Sequence, residues 1–163
     1  MADVLTDQDI DELMTEPKRV LAGWRERLAV RPGKRDDQNE RFIDVPGERG
    51  SVFRLIARQD RRFPLQFSAV LAFRRPESNV LFRLCRFNGP HRHRNRLEGT
   101  VVTGCHKHIA TERYQLAGWS EEAYAEADAR YTDLAGALTT LFSDCGFTEL
   151  PPPDERQLAM RYS

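Results

Sequence analysis

Lysine is scarce in this sequence, standing only at Lys18, Lys34 and Lys107, so nearly all of the positive charge is guanidinium. Forked guanidinium groups suit phosphate, although codon composition of the source genome accounts for the bias equally simply. Cysteine is sparse as well. Three residues, an odd number without regular spacing, argue for reduced thiols rather than a disulfide framework. No run approaches the roughly 20 apolar residues of a membrane-spanning helix. The start, MADVLTDQDIDEL, is acidic and has no apolar signal region. A cytoplasmic protein with no membrane partner is therefore expected. The chain also lacks an internal repeat, a glycine-rich nucleotide loop, a Gly-x-Ser-x-Gly elbow and an evident pair of catalytic carboxylates.

What is present suits a folded protein. With 163 residues, 40% hydrophobic and 31% charged, the chain is long enough to bury a sizeable core. The pattern predicts a single domain over residues 1–150 and an extended or mobile tail, PPPDERQLAMRYS, over 151–163. The formal net charge is +0, yet it is unevenly spread. Residues 1–16 carry Asp3, Asp7, Asp9, Asp11, Glu12 and Glu16 with no Lys or Arg. The region from Lys18 to Arg96 is basic, and the part after Glu121 turns acidic again.

Thr6 is placed to cap a helix bearing Ile10, Leu13 and Met14 on one face, ended by Pro17. Val20, Leu21, Trp24 and Leu28 fit either a continuing helix or a short strand. RPGKRDDQNE, from Arg31 to Glu40, reads as a polar loop. Alternating runs follow at Arg41–Val45, Ser51–Arg58, Leu65–Arg74, Asn79–Phe87 and Gly99–His108, divided by Pro, Gly and Asn signals. They predict an antiparallel meander of about four to six strands. Leu134, Leu138, Leu141, Phe142 and Cys145 form an apolar helical stripe, with Thr132 as cap and Gly146 as left-handed stop. The fold class is thus α+β, with an N-terminal helical segment and a C-terminal helix packed on one face of the sheet.

The chemistry-bearing residues crowd into one stretch, RLCRFNGPHRHRNRLEGTVVTGCHKHIATERY. It holds all four histidines, His91, His93, His106 and His108, together with Cys85 and Cys105. On a regular strand His106 and His108 project in parallel, roughly 6.5 to 7 Å apart. Such a pair can flank a phosphate, one ring accepting a proton and the other donating it. Beyond it, Thr111, Glu112, Arg113 and Tyr114 mark a strand-to-helix junction with free amides. Arg92, Arg94 and Arg96 in the preceding loop can position a phosphate backbone. Each piece also has a plainer account: hydrogen-bonding histidines on an exposed sheet face, a solvated loop tip, packing tryptophans at Trp24 and Trp119, and small core cysteines.

A metal site is the chemical rival. Four histidines and Cys105 supply enough soft donors for zinc. Their spacing, however, matches none of the paired-cysteine or His-Glu-x-x-His patterns, and a regular strand turns Cys105 away from His106 and His108. On spacing alone no metal and no cofactor is assigned.

RFNG at Arg86–Gly89, NRLEG at Asn95–Gly99 and HKHIATERY at His106–Tyr114, with the later RYTDLAGALTTLFSDC, resemble an uncharacterised bacterial family defined only as a domain of unknown function. That resemblance implies no activity. A looser, architectural likeness links helices leading into a His-, Thr-, Arg- and Tyr-bearing antiparallel sheet to the small metal-independent ribonucleases among bacterial toxins. The leading expectation is therefore a nucleic-acid-interacting protein, RNA before DNA, whose finer form is a metal-independent endoribonuclease of toxin type using a His pair and Arg. His106 and His108 would transfer protons, Thr111 would donate a hydrogen bond and Arg113 would stabilise charge. Arg86, His91, Arg92, His93, Arg94, Arg96, Lys107 and Tyr114 would contact the nucleic acid. The competing expectations are a non-catalytic nucleic-acid- or protein-binding domain and a structural module that completes an oligomer.

Overall fold

Helix α1 (Asp7–Thr15) opens on a capping box: the Thr6 hydroxyl accepts from the Asp9 amide while the Asp9 carboxylate accepts from the Thr6 amide. Ile10 is its buried residue, and Glu16, next to Pro17, closes it. The computed structural model describes residues 3–28 and 38–151. The polar loop expected from Arg31 falls mostly outside them, as does the expected tail beyond Pro151. Between Pro17 and Leu28 the chain forms a short strand, β1 (Lys18–Val20), and a single helical turn, α2 (Trp24–Arg27).

The main sheet is antiparallel, in the order β2-β3-β4-β5-β8-β9, with β2 (Gln38–Pro46), β3 (Val52–Asp60), β4 (Phe67–Arg74), β5 (Leu81–Asn88), β8 (His106–Ile109) and β9 (Ala125–Ala127). Its inner face carries Ile43, Val45, Phe53, Leu55, Ala57, Ala69, Leu71 and Phe87, all buried, because alternate side chains of each strand turn the same way. Helix α4 (Leu134–Asp144) lies on that face through Ala137, Leu138 and Leu141. Asp133, rather than Thr132, supplies its cap by accepting from the Gly136 amide. Gly146 follows at φ 72, the left-handed stop that glycine adopts cheaply. Strand β10 (Phe147–Glu149) then pairs with β1 in parallel, a long-range pairing of two short segments that carry no local strand signal.

Leu65 and Val80, within the expected runs Leu65–Arg74 and Asn79–Phe87, lie outside the strands and are mostly exposed. The expected strand over Gly99–His108 is broken. Its first part, β7 (Thr100–Val102), pairs with β6 (His93–Asn95) in a separate hairpin. Gly104, at φ 75, lets the chain turn before β8 joins the main sheet. Among the described residues no helix is long and apolar enough to cross a membrane.

Candidate functional site: a four-histidine cluster

Two hairpin-forming segments bring the histidines together. Asn88-Gly89-Pro90 turns the chain out of β5, and the Gly89 amide donates to the Phe67 carbonyl. A side chain at Gly89 would sit 2.0 Å from the Leu65 carbonyl oxygen, so only glycine fits this approach. The β6-β7 hairpin is then held against β9 by Asn95, whose amide nitrogen donates to the Ala125 carbonyl at 2.8 Å and whose amide oxygen accepts from the Ala125 N–H at 2.8 Å. As a result His91 and His93 fold over the β8 pair. Ring centroids are 4.4 Å apart for His91 and His106, 4.7 Å for His93 and His108, and 4.9 Å for His106 and His108. Those last two lie closer than the ideal strand repeat because their rings tilt together.

The hydrogen bonds fix which nitrogen carries the proton. His106 Nδ1 lies 2.9 Å from the Gly104 carbonyl and His108 Nδ1 2.7 Å from the Glu122 carbonyl. A carbonyl oxygen only accepts, so both Nδ1 atoms are protonated, and in the neutral ring Nε2 keeps its lone pair. His93 is held the other way round, its Nε2–H donating to the Ala123 carbonyl at 2.8 Å. His106 is fully buried, and its Nε2 has no hydrogen-bond partner. One ligand atom from each of His91, His106 and His108 lies within 4.8 Å of the other two.

Charge is disfavoured on His91, His106 and His108. Burial, reinforced by His106 and His93, pushes the His108 imidazole down to about 3. Burial likewise lowers His106, and lowers His91 with a smaller opposing contribution from the Gly89 backbone. These three rings are neutral ligand donors at ordinary pH.

Of the arginines, Arg86 comes closest. It stands opposite His108 across the β5-β8 ladder, half-buried, with Nη2 on the Glu122 carboxylate at 2.9 Å and Nε buried without a hydrogen-bond partner. Arg92 and Arg94 are exposed on the hairpin, and Arg96 lies 5.1 Å over the exposed Trp119 ring. The remaining expected residues are engaged elsewhere. Lys107 points to the opposite face, over the Phe87 ring and 3.2 Å from Asp144. Thr111 caps α3 (Glu112–Leu116) by accepting from the Tyr114 amide. Tyr114 is buried and its hydroxyl donates to Glu98, which Arg113 also binds. Among the described residues, no hydrogen bond, ion pair or ring contact joins Thr111, Arg113 or Tyr114 to an imidazole.

Sequence reasoning missed the carbonyls of Gly104 and Glu122, the Asn95 clamp and Arg58. Backbone carbonyls carry no sequence signal. Arg58 was legible as a polar-face residue of β3, but its row in the sheet depends on pairing.

The absence of a metal assignment rested on spacing along the chain. In space Cys105 takes no part, as the strand alternation implied, and His91 arrives from the turn that follows β5 to join His106 and His108. Three neutral imidazoles, two with their one N–H on backbone carbonyls, are the arrangement that orients histidine for a transition metal. Tetrahedral ligation at about 2.0–2.1 Å requires donors roughly 3.3 Å apart, so closing on an ion takes about an ångström of side-chain movement. His91, the exposed member, is the one with freedom to supply it.

Compared with known proteins, the chain is matched over residues 5–147 by the model of a family of unknown function, DUF6978. No curated protein and no solved structure matches it.

Proposed function

The chain belongs to that family, which lends it no activity, and we propose on the geometry that it binds one divalent transition-metal ion, zinc by its donor chemistry, through His91, His106 and His108. One observation carries the reading: a fully buried imidazole nitrogen, His106 Nε2, has no partner in a ring that brings a ligand atom within 4.8 Å of one from His91 and one from His108. A buried polar atom left unsatisfied costs about 1–3 kcal/mol, and a bound cation removes that penalty. His93 packs against two of the ligands and fixes their ring planes. With three protein ligands the ion keeps an open position, and it would supply Lewis acidity and a bound water of lowered pKa.

The test is metal content after purification and titration of chelator-stripped protein with zinc or cobalt. Stoichiometric binding that His106→Ala and His108→Ala each abolish supports the reading. Wild-type protein taking up no equivalent of either ion refutes it. This geometry favours ligation over metal-free acid–base cleavage by His106 and His108, since a neutral ring whose one N–H is held by a backbone carbonyl is not the imidazolium that a general acid needs.

A second reading is nucleic-acid binding by the hairpin. It is supported by Arg92 and Arg94, exposed beside the histidines, and by Arg96 stacked on Trp119. It calls for salt-dependent RNA binding that falls on replacing Arg92 and Arg94 and survives His108→Asn. Binding unchanged by the arginine replacements counts against it.

A further inference from the structure

On the outward face of the sheet, the strand registers set Arg58, Ser68, Asn88 and His106 in one row across β3, β4, β5 and β8. The adjoining row runs Ile56, Val70, Arg86 and His108. Side chains in cross-strand register share a face. The histidines thus stand at one end of the rows, Arg58 stands three strand spacings away, roughly 14 Å, and Arg86 lies between. The space left by these side chains is a pocket of about 310 Å³ whose lining includes Arg58, Ser68, Arg86, Asn88 and His91. It therefore opens against the candidate metal ligand most exposed to solvent.

The donors around this pocket are complementary to an anion. Arg86 Nε is buried and has no hydrogen-bond partner. Ser68 Oγ donates to Asn88 Oδ1 at 2.8 Å, which leaves the Asn88 NH2 as a donor on the same face. Arg58 is paired with Glu40 at 3.1 Å on the far side. The metal itself adds to this. The donor group contains histidine and no carboxylate, so neutral ligands leave the full charge of a divalent ion uncompensated at its open position. A carboxylate offers two oxygens; a phosphate offers enough to meet a metal and two guanidinium groups at once.

We propose that this pocket binds a phosphate group, which occupies the open coordination position of the metal and is held by Arg86 and Arg58. The assignment rests on the metal reading above and names the ligand class of the same centre.

Cobalt-loaded protein titrated with inorganic phosphate tests it, reading the visible absorption of the ion. A saturable spectral change is expected. Arg86→Gln is expected to weaken phosphate binding roughly tenfold or more, the usual effect of losing a charge-assisted hydrogen bond. The same variant should leave the cobalt spectrum without phosphate unaltered. Arg58→Gln, at the far wall, provides an independent arm should Arg86→Gln not fold. No response to phosphate, an equal response to acetate, or unchanged affinity in both variants overturns the phosphate site and leaves the metal site standing. If cobalt does not load, both fall.

Discussion

Acidifying metal-free protein from about pH 7 to about pH 5 is expected to cost it stability through the histidine cluster. An unfolded His108 titrates near 6.5, whereas burial holds the folded ring neutral down to about 3. Across this interval the unfolded state therefore takes up a proton that the folded state refuses, and stability falls as pH falls. The contribution is fully present above 6.5 and is lost progressively toward 3. Its total is on the order of 5 kcal/mol, of which about 2 kcal/mol disappears between pH 7 and pH 5. His106 and His91 are shifted in the same direction and steepen the loss. The window separates this effect from the carboxylates. Asp44, Asp128 and Asp144 are held below the usual range chiefly by their hydrogen bonds to Arg54 and Arg130, and their stabilisation is lost only at lower pH. Urea unfolding in the presence of chelator at several pH values measures the slope. His108→Asn, whose amide can still donate to the Glu122 carbonyl, should retain about 2 kcal/mol less dependence over that interval. A wild-type stability that is flat from pH 7 to pH 5, or a variant with an undiminished slope, refutes the burial argument.

Further outcomes are expected from other parts of the molecule. Zinc at about 100 times its dissociation constant should stabilise the protein by about 2.7 kcal/mol, seen as a rise in melting temperature that chelator reverses and that His106→Ala lacks. Asn95→Ala releases the hairpin from β9 and should weaken cobalt binding by roughly tenfold; unchanged affinity would show that the clamp does not position His91. Lys18, fully buried, donates from Nζ to the carbonyls of Leu13, Met14, Glu16 and Cys145 at 2.8–3.0 Å, tying the ends of α1 and α4 together. Lys18→Met strands those acceptors and should cost about 3 kcal/mol or more in chemical denaturation; a loss under about 1 kcal/mol would contradict this. Gly89→Ala should prevent stable folding or cost several kcal/mol, since the added carbon meets backbone rather than a movable side chain.

Much of the scaffold was legible because its causes are local. Thr6 and Asp9 cap α1 from three residues apart, and the alternation in Val52–Asp60 and Phe67–Arg74 marks one face for burial before any partner strand is known. The stripe of α4 is similarly local, set by Leu134, Leu138 and Leu141 within one helix. The confinement of the histidines between His91 and His108 marked the segment whose four rings the fold gathers together. What the residues there could do was not legible. Continuing the alternation through Gly104 made one strand of two, and treated Thr111, Arg113 and Tyr114 as free groups when each has a structural partner.

The residue pattern by itself determined an α+β chain with an antiparallel sheet, the identity of its inward face, and the presence of an imidazole-rich segment. These follow from interactions between residues near one another in the chain. Tertiary structure alone decided that β1 pairs with β10, that Lys18 is enclosed, and that His91 closes on His106. Those outcomes depend on strand register, on the turn at Gly104 and on which carbonyl meets which ring nitrogen. Such pairings are settled only when distant segments compete for the same space and the same hydrogen bonds.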